Sequence, residues 1–380
     1  MSRRVGGVGT ALVFILASFP AFAGATPSGA PIVIGAIVSA AGAFAPLGEV
    51  ERNALRLAEK EINERGGVDG HPLSFDIQDD EGKPETAAQL ATQMIGKGEI
   101  AIIGGSLTAT TAAVARVTAQ NKVLQIFMTP TAQPWDTPHG PSKYLFEATP
   151  RNELETPVLV GFAKRKLGAK KVAILWDSNP YGTQGSKLLA DECKKEGLDV
   201  VASESYPATA TDVTAQLLKF KSAGSDTVFM WGASQTPALA VRQMRQLGMK
   251  VNILGSTGIL SDNNLRIMGK DGEGVYSDSD LNFTLPNAQQ RQFIETYHNV
   301  LKVRPTNFAS FAWDAAHLVV LALKGAHGKT DGDLLASALE HMGPYTGSTG
   351  TYKYTASDHN GLQTRDVHLA IDKNQIWFTL

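Results

Sequence analysis

Cysteine is almost absent from this 380-residue sequence, which contains one, Cys193. A single thiol has no partner within the chain, so an intrachain disulfide framework and a cysteine-based zinc site are excluded. Cys193 lies in a stretch with helical periodicity, which predicts a packed helix residue rather than a reactive thiol. Because Cys193 lies far from the N-terminus, lipid attachment near the start of the chain is excluded as well.

An excess of one charge is also missing. The chain has 35 Lys and Arg residues against 37 Asp and Glu residues, with the signs interspersed. This balance offers no basic patch for nucleic acid or for an anionic membrane.

Catalytic and metal motifs are missing too. There is no G-x-S-x-G or H-E-x-x-H, and the eight histidines are scattered. Asp278-Ser279-Asp280 is similar to the start of a calcium loop, but the downstream Gly and Glu are absent, so we expect a solvated turn there. The sequence therefore predicts no enzyme, no catalytic residue, no cofactor and no metal.

An uncharged apolar segment lies near the N-terminus. Arg3 and Arg4 precede it, it runs from about Val8 to Phe19, and the small-residue pattern Ala21-Phe22-Ala23 follows. The segment is too short for a membrane span. We therefore predict that residues 1–23 are a cleaved signal peptide and that the mature protein is soluble and periplasmic; a buried core helix is the alternative.

The remainder alternates short apolar runs with helical stretches, the pattern of parallel sheets covered by helices. Ile32 to Val38 is continuously apolar, as a strand buried on both faces requires. The run from Ala41 to Gly48 then breaks the pattern, and helical spacing is predicted from Glu49 to the glycine pair at Gly66. The roughly 350 mature residues suffice for two cores, so we expect two α/β lobes.

The ends of the predicted strands are the places to look for a ligand. After the strand Ile100 to Ile103, the run Gly104 to Thr111 opens a helix, whose N-terminal N–H groups attract an anion. Thr108, Thr110 and Thr111 offer hydroxyl donors to a small carboxylate; alternatively, they only cap the helix. Other strand exits, expected to border the same cleft, begin at Thr129, Asp177, Gly232 and Gly255.

Six short motifs follow one another along most of the mature chain. They are Gly48 before the first helix, Ile62-Asn63-x-x-Gly66-Gly67, Asp79-Asp80, Ile103-Gly104, Asp177-x-x-x-Tyr181-Gly182 and Gln246-Leu247-Gly248. With these motifs the chain resembles the type I periplasmic substrate-binding proteins of ABC transporters, in the leucine/isoleucine/valine-binding branch. The resemblance implies an α/β fold of two doubly wound parallel-sheet lobes joined by a three-segment hinge. It divides the chain into residues 31–149 with 279–351 (the N-terminal lobe) and residues 150–278 with 352–380 (the C-terminal lobe).

The resemblance also implies a role. Such a protein is a soluble, monomeric periplasmic receptor that closes on a small molecule and delivers it to an ABC permease in the inner membrane, without chemistry. Two alternatives remain open from the sequence: a ligand-sensing protein that feeds a signalling receptor, and a secreted hydrolase.

One end of the ligand site matches the family. By resemblance, the hydroxyl that binds the ligand carboxylate is Thr108, next to Leu107. The backbone contact of the following exit loop is Thr131, with Ala132 and Gln133 beside it. Tyr181 matches the aromatic side chain of the opposite lobe. The resemblance thus implies a carboxylate-bearing ligand.

The other end departs from the family. The acidic residue that balances an amino acid's ammonium group is replaced by Thr257, and an aromatic is replaced by Ala233, next to Ser234. Leu47 replaces another aromatic, while Phe44, Trp231 and Phe308 are either rim aromatics or core residues. A buried ammonium without a partner costs several kcal/mol. The sequence therefore favours an apolar or aromatic acid without an amino group over a branched-chain amino acid.

Overall fold

The computed structural model describes residues 26–129 and 142–380. The predicted signal peptide lies outside the described residues. From the start of the described chain to its first passage between sheets, the elements are β1 (Ile32–Val38), α1 (Ala45–Glu64), β2 (Leu73–Asp79), α2 (Pro84–Gly96), β3 (Ala101–Gly104), α3 (Thr108–Asn121), β4 (Leu124–Phe127) and β5 (Leu145–Glu147).

The chain then builds a second unit and returns to the first. The elements that follow are α4 (Asn152–Leu167), β6 (Lys171–Asp177), α5 (Pro180–Lys195), β7 (Asp199–Tyr206), α6 (Thr214–Ser222), β8 (Thr227–Trp231), α7 (Thr236–Gln246), β9 (Asn252–Gly255), α8 (Asp262–Met268) and β10 (Tyr276–Ser279). The last elements are α9 (Ala288–Leu301), α10 (Asn307–Gly325), α11 (Gly332–Glu340), β11 (Tyr345–Thr346), β12 (Thr351–Tyr352), β13 (His368–Asp372) and β14 (Trp377–Thr379).

Two sheets form the centres of two lobes. The first has the strand order β2-β1-β3-β4-β5 and is parallel throughout. The second has the order β14-β13-β10-β9-β8-β6-β7, parallel from β10 to β7, with β13 and β14 antiparallel at one edge. Helices cover the sheets, and the predicted α/β fold of two doubly wound lobes is confirmed. The residue bounds given above for the lobes remain a prediction.

Helix α1 begins earlier than predicted. The pattern does break after β1, but the break ends four residues before the predicted Gly48, since a short 3₁₀ turn ends at Phe44 and α1 starts at Ala45. Pro46 in the first helical turn has the fixed φ that a helix start needs. A Cβ atom at Gly48 would lie 2.2 Å from the Ser39 carbonyl oxygen, so only glycine lets α1 pack this closely on the end of β1. Leu47 is thereby placed on a helix that faces the cleft.

Helix α10 forms the core of the first lobe. Its length and apolar composition would allow it to cross a membrane, but 78% of its apolar window is buried inside the protein. It packs along α1, and Phe311, Ala312 and Leu323 are among its fully buried residues. We therefore interpret α10 as a core helix.

Buried carboxylates fasten the segments that pass between the lobes. Asp314 of α10 accepts hydrogen bonds from the backbone N–H groups of Ser348 and Thr349, at 2.8 and 2.7 Å, and from the Tyr352 hydroxyl at 3.0 Å. Glu147, at the end of β5, accepts from Asn360 Nδ2 at 3.0 Å and also pairs with Arg151. The chain passes between the lobes first near Glu147 and for the third time near Ser348 to Asn360. Hydrogen bonds therefore connect these two passages with each other and with the core of the first lobe.

Candidate functional site

The carboxyl ends of the parallel strands in both lobes open onto one cleft. A cavity of about 260 Å³ lies there, just below the range of roughly 300–1,000 Å³ that is common for ligand pockets. Its volume suits a ligand smaller than most drugs. The first lobe lines it with Phe44, Leu47, Gly82, Ser106, Leu107, Thr108, Ala109, Thr129 and Phe308, and the second with Asp177, Ser178, Asn179, Pro180, Tyr181, Pro207, Ala208 and Ala233.

The structure brings six of the predicted site residues together. Phe44, Leu47, Leu107, Thr108, Tyr181 and Ala233 all line this cavity. Ser234 lines a smaller adjoining depression instead. Thr131, Ala132 and Gln133 lie outside the described residues.

Thr257 does not line the cavity. It is fully buried, and its hydroxyl accepts a hydrogen bond of 2.5 Å from the Asn307 side chain of α10. Trp231 is also fully buried and packs against the Tyr181 ring, with the ring centres 5.8 Å apart. Of the three aromatics proposed for the rim, Phe44 and Phe308 are therefore at the cavity, whereas Trp231 belongs to the core beneath it.

The N-terminus of α3 forms one end of the cavity. Helix α3 begins at Thr108, whose hydroxyl is buried and has no hydrogen-bond partner in the part of the chain that the structure describes. Thr110 and Thr111 instead donate to the carbonyl oxygens of Leu107 and Gly105, at 3.1 and 3.0 Å, and so stabilise the loop. Of these three threonines, Thr108 is thus the one whose hydroxyl has no described partner.

Asp177 was not predicted as a site residue. It lines the cavity, and one carboxylate oxygen accepts the Asn179 N–H at 3.3 Å, while the other is buried and has no partner within residues 26–129 and 142–380. Burial raises the pKa of Asp177 to about 6. The sequence does contain a signal for this role, because Asp177 begins the Asp177-x-x-x-Tyr181-Gly182 motif directly at a strand exit. Ser106, within the loop before α3, was overlooked in the same way, and the residues Pro207 and Ala208 carried no recognised signal.

A second acidic group lies behind Tyr181. Glu155 of α4, Asp278 of β10 and Asp280 are fully buried, and none of their carboxyl oxygens has a hydrogen-bond donor among the described residues. The expected solvated turn at Asp278 to Asp280 is therefore wrong, because this segment passes between the lobes under α4. Burial raises the pKa of Asp278 to about 7 and that of Glu155 well above its usual range, the latter further raised by the neighbouring carboxylates. These groups keep protons that exposed carboxylates would lose.

Comparisons with known proteins agree with this architecture. The sequence profile of the periplasmic binding protein family matches residues 31–370, so the chain belongs to that family. A relative in Brucella melitensis, the Leu/Ile/Val-binding protein homolog 3, is 27% identical over 86% of this chain and 88% of its own length. The protein is accordingly a periplasmic binding protein that is similar in sequence to Leu/Ile/Val-binding proteins.

Solved structures share the fold. The substrate-binding protein LivJ of a branched-chain amino acid transporter from Streptococcus pneumoniae, in complex with isoleucine, superposes with a TM-score of 0.84 at 24% identity, covering 92% of this chain and 99% of its own. A solute-binding protein of an ABC transporter from Rhodopseudomonas palustris BisB5, in complex with 3,4-dihydroxybenzoic acid, has a TM-score of 0.81 at 22% identity, covering 92% and 96%.

The buried acids behind Tyr181 should make stability depend on pH. Their folded-state pKa values are raised, so the folded protein binds more protons than the unfolded chain, and the free energy of unfolding should fall as pH rises from about 4 to about 7. The double variant Glu155→Gln, Asp278→Asn has no carboxyl group at either position. Its free energy of unfolding should therefore fall by at least about 1 kcal/mol less than that of the wild type between these pH values. Urea unfolding of ligand-free protein at several pH values measures the difference.

The exposed Glu64 provides a control, since Glu64→Gln removes one acid by the same change as Glu155→Gln and should keep the wild-type pH dependence. If the double variant and the wild type lose stability in parallel, Glu155 and Asp278 do not carry raised pKa values.

Proposed function

We propose that the protein is a periplasmic receptor that captures a small carboxylic acid without an amino group, with an apolar or aromatic body, and delivers it to an ABC permease. The observation that carries the proposal is the buried hydroxyl of Thr108, which has no hydrogen-bond partner among the described residues, at the N-terminus of α3 beside a mainly apolar cavity. Hydroxyl and helix N–H groups bind a carboxylate, and the apolar wall binds the body of the ligand.

Two further features support an acid without an ammonium group: the replacement at Thr257 and the apolar side chains that line the cavity. Thr257 occupies the position from which, by resemblance, relatives would balance that ammonium, and its hydroxyl is already bound to Asn307. Phe44, Leu47 and Phe308 provide an apolar surface suited to an aromatic ring or a branched chain. The dihydroxybenzoic acid complex of the Rhodopseudomonas palustris protein shows that a protein of this fold accommodates an aromatic acid.

An α-amino acid is the second candidate, because Asp177 lines the cavity and one of its carboxyl oxygens has no hydrogen-bond partner among the described residues. An ionised Asp177 would balance an ammonium group, and the complex of LivJ with isoleucine makes this candidate worth testing. Against it, burial raises the pKa of Asp177 to about 6, so ionisation of this carboxyl group is less favourable than that of an exposed aspartate.

We propose capture and delivery without catalysis, in a soluble monomer in the periplasm. The relatives are binding proteins, which supports this role. Sensing by the same closure remains the runner-up, and gene neighbours that encode a permease and an ATPase would favour transport.

Calorimetry with matched pairs tests the ligand class: leucine against 4-methylpentanoate, and phenylalanine against 3-phenylpropanoate, with benzoate and 3,4-dihydroxybenzoate added. Each acid should bind at least about tenfold more tightly than its amino acid, since a buried ammonium without a partner costs more than 1.4 kcal/mol. Asp177→Asn should leave the acid affinities within about threefold of wild type. Tighter binding of leucine than of 4-methylpentanoate, abolished by Asp177→Asn, would establish the second candidate instead.

The carboxylate end is tested separately. Thr108→Val keeps the shape of the side chain but removes the hydroxyl donor, so the affinity for the best-binding acid should fall by about tenfold or more. Thr92→Val, on the exposed face of α2, makes the same chemical change away from the cavity and should leave the affinity unchanged. Equal affinities for wild type and Thr108→Val would place the carboxylate elsewhere.

A further inference from the structure

The wall of the cavity near α3 rests on a buried carboxyl group. Glu51 of α1 is fully buried, and its Oε2 atom forms a hydrogen bond with the Ser106 hydroxyl, while its Oε1 atom has no partner among the residues that the structure describes. Ser106 lines the cavity two residues before Thr108. Glu51 therefore contacts, from behind, a hydroxyl at the end of the cavity where we propose that the ligand carboxylate binds.

The hydrogen bonds of Ser106 restrict where its hydrogen can point. The Ser106 hydroxyl already accepts the Ser39 N–H, at 2.8 Å. A hydroxyl has one hydrogen and two lone pairs, and an ionised carboxylate can only accept. If Glu51 is ionised, the Ser106 hydrogen must point at Glu51 and a lone pair is left for the cavity. If Glu51 is protonated and donates a hydrogen bond to Ser106, both lone pairs of the Ser106 hydroxyl are used and its hydrogen is left for a ligand.

We propose that Glu51 is a positioning residue for ligand recognition: when protonated, it donates to Ser106 and turns the Ser106 hydroxyl toward the ligand carboxylate. When Glu51 loses its proton, the hydroxyl turns back and a second negative charge lies close to the ligand. This inference rests on the proposed function, because it requires an anionic ligand group at the α3 end of the cavity.

The surroundings of Glu51 favour the protonated form. Burial raises the pKa of Glu51 well above its usual range; the hydrogen bond with Ser106 acts in the opposite direction, and the charge of Asp80 raises the pKa further. Asp80 itself accepts hydrogen bonds from the Ser39 hydroxyl at 2.6 Å and from the Gly82 N–H at 2.8 Å. Ser39 thus connects Asp80 with Ser106, the partner of Glu51: its hydroxyl donates to Asp80 and its N–H donates to Ser106.

The other charged groups on the packed elements have partners of their own. On α1, Arg52 pairs with Glu49 at 3.1 Å, and its second nitrogen lies 3.9 Å from Asp79. On α10, His317 pairs with Glu61 at 3.3 Å, and Glu61 lies ten residues from Glu51, about 15 Å along α1. Asp80 is accordingly the one charged neighbour that contributes to the raised pKa of Glu51.

The pH dependence of binding tests this role. Calorimetry from about pH 5.5 to about pH 10 measures the affinity of the wild type for its best-binding acid. This affinity should be constant at low pH and then fall toward tenfold per pH unit, since the complex keeps a proton on Glu51 that the free protein loses. Glu51→Gln has an amide that donates at every pH, so its low-pH affinity should stay within about threefold of wild type and its profile should be flat. Glu51→Ala lacks the donor and should bind about tenfold more weakly.

Asp80→Asn separates the two buried acids. Removing that negative charge lowers the pKa of Glu51, so the fall in affinity should begin at a lower pH but persist. A flat profile in Asp80→Asn would assign the titration to Asp80 and overturn the inference, as would a Glu51→Gln profile identical to wild type. If no acid binds the wild type at any pH, both the proposed function and this inference are wrong. If acids bind but the pH profile of Glu51→Gln is the same as that of the wild type, only this inference is wrong.

Discussion

Carboxyl groups are buried all around the cleft, and every buried oxygen must find a hydrogen-bond donor or keep a proton. Asp314 and Glu147 find donors in the segments that pass between the lobes. Glu155 and Asp278 have no donor within the described ranges, and burial raises their pKa values, which favours their protonated forms. An acid-rich cleft can therefore remain close to neutral and still receive an anionic ligand.

The shape of the site depends on the same close packing. Gly48 lets α1 approach the end of β1, which places Leu47 at the cavity and Glu51 beneath it. The strand exits of both sheets then supply the remaining wall, with Thr108 from one lobe opposite Tyr181 from the other. Because the walls belong to different lobes, a ligand that contacts both stabilises the closed arrangement by its differential affinity for it.

Much of this could be predicted from the sequence, since the signals were local. The apolar run Ile32–Val38 has the bounds of β1, because a strand buried on both faces needs apolar residues throughout. Thr108 and Tyr181 line the cavity because the ends of parallel strands meet at one edge. Contacts between distant segments could not be predicted: Asn307, 50 residues beyond Thr257, binds its hydroxyl, and the segment around Asp278 is buried only because α4 covers it.

We propose that the cleft recognises a carboxylate on an apolar body and has no place for an ammonium group. Mass spectrometry of the small molecules released on denaturing protein purified from its native periplasm would identify the ligand directly. A small carboxylic acid without an α-amino group should be released in a constant ratio to the protein. Release of leucine, isoleucine or another α-amino acid in that ratio would show that the proposed ligand class is wrong.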